Sequence, residues 1–241
     1  MKYCYLILVT LFLIACHTDS DKNTNEKPQD STVLQNQLTN TIAEPKEEII
    51  VDTLNINRQK LIKYSFPNNR FFGLTTLKGD TLIKFGKDYF YADILDINGD
   101  GNKDIRIFGF ANVPNVCETY LFDEKTKKYR FLENCDLDIQ QIKNTPYFYS
   151  YARAGCADYN WESYLSKIVD FKLIDIGFID GRGCEYENPK ESPRQIKIYK
   201  IKDKGHILYK TLPYSKHIPT FSDKWDFIKK YWTKNHRQFI H

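Results

Sequence analysis

Between Asp96 and Asp104 the chain reads Asp-Ile-Asn-Gly-Asp-Gly-Asn-Lys-Asp, an oxygen-bearing side chain at every second position. In a tight loop this spacing aims successive carboxylates and amides at one centre. Ca²⁺ takes such hard oxygen donors, about six to eight of them, and a glycine at the sixth loop position permits the sharp turn. Gly101 stands there. The expected ligands of a structural Ca²⁺ are the side-chain oxygens of Asp96, Asn98 and Asp100 and the backbone carbonyl of Asn102. Asp104 completes the set directly or through water. Three acids this close repel one another unless a cation sits among them. The plainer alternative is an Asx-rich turn without metal.

A helix–loop–helix calcium site would place Glu at position twelve, but Ile107 stands there, inside an expected strand. The stretch from Tyr91 to Ile107 instead resembles the strand–loop–strand calcium sites of integrin-type FG-GAP and VCBS β-propeller repeats. Those carry Asp-x-Asn-x-Asp-Gly-x-x-Asp between strands. The resemblance covers one copy, and it implies a propeller-like fold with calcium holding two strands together. Without the bidentate Glu the expected affinity is that of extracellular modules, ~10⁻⁴–10⁻³ M.

Six cysteines supply the second set of reactive groups. Cys4 lies within an N-terminal stretch whose basic start, Lys2, precedes the apolar run Tyr5 to Ile14. That run is too short to span a bilayer as a helix, which needs roughly 20 apolar residues. Leu13-Ile14-Ala15-Cys16 resembles a bacterial lipobox. The resemblance implies a signal peptide over 1–15, cleavage before Cys16 and a lipid on its sulfur. A plain secreted protein with an incidental Cys16 is the alternative. Four cysteines remain, and an even number in an exported domain points to disulfides. Cys117 and Cys135 are equidistant from Thr126 in a polar turn; Cys156 and Cys184 are equidistant from Asp170 in another. Regular hairpins would therefore pair Cys117 with Cys135 and Cys156 with Cys184.

The open end of the second hairpin would gather Arg153, Asp158, Tyr159, Trp161, Glu162, Asp180 and Arg182, with Glu185 nearby. This is the expected partner surface. Two carboxylates beside an aromatic could also serve a glycosidase. Ion pairing at a hairpin end is the plainer use of the same residues. The sequence contains neither His-Glu-x-x-His nor Gly-x-Ser-x-Gly, and no phosphate-binding Gly-rich loop. No catalytic residue is assigned, and the expectation is a non-enzyme.

These groups need elements to position them. Residues 16–48 carry the lipidated Cys and then a polar stretch, acidic and without aromatics, expected as a flexible tether. From Ile49 to His241 short runs of Ile, Val, Tyr, Phe and Thr alternate with turn residues, about a dozen strands. The expected domain over 49–241 is mainly β. Antiparallel hairpins would build a degenerate propeller-like fold, with a β-sandwich as the alternative. Ser222 to Asn235 is expected as a C-terminal amphipathic helix that packs through Trp225, Ile228 and Trp232, widened by Phe227 and Tyr231. An exposed aromatic surface is the other reading of that stripe.

Charge bounds the partner. The whole chain carries +4, and Ile49 onward holds 31 basic and 24 acidic residues. The domain is thus more basic than the chain, which suits an acidic target and disfavours a basic one. The excess gives no case for nucleic acid. The expected function is a non-enzymatic, calcium-stabilised lipoprotein of the cell envelope, placed at the outer membrane, that binds a protein or glycan. The alternatives are an inhibitor or immunity protein against a wall-degrading enzyme, and a glycan-active hydrolase.

Overall fold

Among the described residues the β-branched and aromatic runs fold into fifteen strands arranged in three antiparallel sheets. The computed structural model describes residues 48–67, 71–84, 89–109, 114–184, 193–203 and 205–240. The expected signal peptide over 1–15, Cys16 and nearly all of the tether lie outside these residues, as does Glu185.

The first sheet is a meander of β1 (Ile50–Ile56), β2 (Gln59–Ser65), β3 (Phe71–Thr76) and β4 (Thr81–Lys84). The second repeats that plan with β5 (Tyr89–Leu95), β6 (Asp104–Gly109), β7 (Cys117–Asp123) and β8 (Lys128–Phe131). The third is larger and holds seven strands. Its members are β9 (Ile139–Gln141), β10 (Tyr147–Ser150), β11 (Ala152–Arg153), β12 (Asn160–Val169), β13 (Lys172–Arg182), β14 (Gln195–Lys202) and β15 (Gly205–Pro213). They run in the order β15-β14-β13-β12-β10-β9, with β11 also on β12. Two short helical segments follow, α1 (Tyr214–His217) and α2 (Asp223–Asn235).

A mainly β domain of antiparallel hairpins with a C-terminal helix is thus what forms. Among the described residues the sheets close neither a barrel nor a ring of blades.

Three apolar clusters join these layers. Leu61, Leu74 and Ile83 of the first sheet meet Ile105 and Ile107 of the second. Leu121 and Leu132 meet Phe148 and Leu173 of the third. The third cluster lies between the large sheet and α2, where Trp161, Leu165, Ile179, Ile196 and Ile198 take Ile228, Trp232 and Phe239.

The helix packs on the sheet through Ile228 and Trp232, flanked by Phe227 and Tyr231 as expected, but Lys224 rather than Trp225 completes the buried stripe. Lys224, Ile228 and Trp232 are buried, at i, i+4 and i+8, while Trp225 is 44% exposed and packs its ring on Tyr151. Glycines in β13 make the helix side of the sheet deep enough for large rings. A Cβ on Gly181 would stand 2.2 Å from the Trp161 indole, and one on Gly177 2.8 Å from the Phe239 ring. A lysine enters this apolar stripe because a carboxylate waits for it, as described next.

Candidate functional site

The loop from Asp96 to Lys103 joins β5 to β6, and all three sheets hold it. Asn57, in the β1–β2 turn, donates to the Lys103 carbonyl at 2.8 Å and accepts from the Lys103 N–H at 2.6 Å. Gln141 of β9 donates to the Asn98 carbonyl at 2.8 Å. Gly99 has φ 78°, and its missing side chain makes room for Gln141.

Within the loop the carboxylates hold backbone. Asp96 accepts from the N–H groups of Gly99, Asp100 and Gly101 at 2.7–3.1 Å. Asn98 accepts from Asp100 N–H at 3.0 Å and Asp100 from Asn102 N–H at 2.8 Å, two successive Asx turns. Asp104 is fully buried and accepts from the N–H groups of Ile97 and Phe122 at 2.9 and 2.8 Å. Burial pushes its carboxyl up to about 6, against the pull of those N–H groups. The five expected ligands are therefore brought into one curled loop. Among the described residues no group of three or more His, Cys, Asp or Glu side chains stands close enough to hold a metal ion. Any metal here would lean on amide and backbone oxygens beside the carboxylates.

The cysteines divide. Cys156 and Cys184 form a disulfide with Cα atoms 6.0 Å apart. Cys117 and Cys135, expected to pair, are free buried thiols. The register explains the difference. Tyr120 faces Phe131 and Asp123 faces Lys128, so continuing the ladder would bring Asn134, not Cys135, opposite Cys117. The ladder also ends at Phe131, and Glu133 leaves to bridge Lys172 of the large sheet. Cys135 instead donates its S–H to Thr119 Oγ1 at 3.7 Å. Burial pushes the Cys117 thiol up to about 12 and Cys135 to about 11, which favours the protonated thiol over the reactive thiolate in both.

The expected partner surface at the end of the β12–β13 hairpin comes apart. Strand alternation sends neighbouring residues to opposite faces. Trp161 is 0% exposed, beneath α2, and its indole N–H donates to Tyr214 Oη at 3.2 Å. Glu162 faces the other way with Asp180, its partner across the ladder. Arg182, also on that face, meets Asp180 at 2.6 Å and Glu162 at 3.9 Å. Arg153 is exposed opposite Trp161 on β11, and Tyr159, half-exposed, packs its ring edge against Phe221.

Asp158 takes a third direction. It sits in a turn of left-handed residues, Cys156 (φ 52°), Ala157 (φ 48°) and Asp158 (φ 72°), a conformation that non-glycine residues adopt at a cost of about 1–2 kcal/mol each. The disulfide holds one end of the turn. At the other, Lys224 Nζ donates to both the carbonyl and the carboxylate of Asp158 at 2.8 Å, and the Tyr151 hydroxyl donates to that carboxylate. Lys224 is 0% exposed, and its ammonium lies 3.7 Å from the Phe221 ring centroid and 5.1 Å from that of Trp225. Carboxylate and aromatic rings together compensate the burial of the charge. The sequence reading missed this lysine. Its one signal was that it lies four residues before Ile228 and eight before Trp232.

No family model and no curated protein matches the sequence. The chain is similar in structure to a Xanthomonas type IV secretion system related protein, with a TM-score of 0.41 and 14% identity. That match covers 68% of this chain and 85% of the other.

Unlike the hairpin end, the far edge of the large sheet stays open. Strand β15 carries Ile207, Leu208 and Tyr209, 43–54% exposed, and among the described residues no strand pairs with its outer side.

Proposed function

We propose that this protein is a calcium-stabilised lipoprotein of the bacterial cell envelope that binds a protein partner without catalysis, through the exposed edge strand β15. The observation that carries this reading is the contrast in exposure. The acids around Cys156 and Cys184 are committed inside the molecule, Asp158 to Lys224 and Asp180 to Arg182. On β15, Ile207 and Leu208 stand exposed. A long unpaired edge strand with apolar side chains is a template for pairing with another chain. The lipobox-like Leu13 to Cys16 supports the anchor, and the Cys156–Cys184 disulfide fits an exported, oxidising compartment.

Calcium would be a rivet in this scheme. Asp96, Asn98, Asp100, the Asn102 carbonyl and Asp104 would hold it, in a loop that Asn57 and Gln141 already tie to the outer sheets. The donor chemistry fits a hard cation. The Asx turns use only some of the carboxylate lone pairs, which leaves oxygens for a cation. Beside the loop a cavity of about 420 Å³ adds Asp123 and Asp170, along with Arg130.

Capture of partners from envelope extract by the full lipoprotein, wild type against Leu208→Asp, tests the reading. Loss of the captured partner with an unchanged melt supports it. Turnover of wall polysaccharide that Asp158→Asn or Asp180→Asn abolishes would replace it with a hydrolase.

A further inference from the structure

The groove beside β15 carries a charge that selects its occupant. It lies between the helix-facing side of β15 and the flank of α2, with a volume of about 650 Å³. Leu212, Phe227 and Tyr231 contribute its apolar surface, and Lys210, Lys216, Lys230 and Lys234 its cations. The two acids in its lining are already engaged. Asp226 pairs with Lys230 at 2.9 Å, and Asp223 accepts from the Thr220 N–H and hydroxyl at 2.8 and 2.7 Å. No described acid pairs with Lys210 or Lys234.

The groove and the open edge belong to one surface. Lys210 and Leu212 face Ile198 and Ile196 across the β14–β15 ladder, so they point to the side that α2 covers. A strand added along β15 would send every second side chain the same way, into this groove. We propose that β15 and the groove together take an extended acidic segment of a partner protein. Its backbone would pair with the β15 edge. Its carboxylates, at every second position, would meet Lys210 and Lys234, and its alternate apolar residues would fall on the opposite face beside Leu208. This inference rests on β15 as the partner edge and adds the chemistry of the partner.

A second copy of this chain fits worse. Two-fold pairing of β15 with itself would bring two sets of lysines together, and like charges across a sheet oppose pairing. The bulge in the β14–β15 ladder between Ile198 and Tyr199 also bends the edge away from a flat self-pairing geometry.

The test uses the full lipoprotein in detergent and three labelled octapeptides. One alternates Glu and Val, one alternates Lys and Val, and the third is the acidic peptide with alternate Val replaced by Pro. The acidic strand should bind at least tenfold tighter than either other peptide, and added salt should weaken it. Lys210→Glu with Lys234→Glu should remove the preference while the melt stays unchanged. Equal binding of the Lys peptide, or of the proline peptide, overturns the proposal, the latter because it would show charge attraction without strand pairing. A photocrosslinker at Leu208 separates the two levels. If it captures an envelope partner while the peptides show no preference, only the acidic-strand inference falls. If it captures none and the peptides fail, the edge reading falls with it.

Discussion

The disulfide end of the β12–β13 hairpin and the edge of β15 belong to the same sheet, yet they spend their side chains in opposite ways. At the hairpin end, Asp158, Asp180, Glu162 and Trp161 look inward or toward one another. At the edge, Ile207, Leu208 and Lys210 are exposed. A cluster of charged and aromatic residues is thus a poor guide to a contact surface until strand alternation has been applied to it. What remains unspent is the better guide.

The sharpest way to break this contrast is to remove Lys224. Lys224→Ala should cost about 3 kcal/mol or more by thermal or urea unfolding, because it strands the Asp158 carboxylate beneath α2. Adding Asp158→Asn should recover part of the loss. A cost near zero would mean that the hairpin end is free after all. Next comes Gly181→Ala, whose new methyl meets the Trp161 indole and should cost about 1–3 kcal/mol.

Removing the proposed calcium with a chelator should matter less. With free Ca²⁺ at ten times Kd the stabilisation is about 1.4 kcal/mol, and its loss would lower Tm by roughly 3–5 °C. An unchanged melt in chelator would leave the loop as an Asx-turn structure without metal. The smallest effect on stability belongs to the edge. Leu208→Asp should change unfolding by no more than about 0.5 kcal/mol while abolishing partner capture.

Much of the fold was legible because it is written locally. The alternation in Gln195 to Ile201, the return strand from Gly205 and the Tyr89 to Leu95 run stand where periodicity and turn residues place them. The curl of the Asp96 to Asp104 loop was legible for the same reason, since its Asx turns link residues two apart. The hairpin end was not. Counting from a turn placed Cys156 near Cys184, but it could not show that Trp161 and Glu162 face opposite ways, nor that Lys224, 66 residues from Asp158, would claim that carboxylate. The same counting failed for Cys117 and Cys135, because a one-residue change of register and an early strand end are set by packing against the large sheet. The open edge of β15 follows from strand order, which no local pattern encodes.

The most direct test of the account is site-specific photocrosslinking in cells, with the crosslinker at Leu208 on the open edge or at Arg153 on the disulfide end. The account predicts an envelope adduct from position 208 and none from position 153. An adduct from 153 with none from 208 would contradict it.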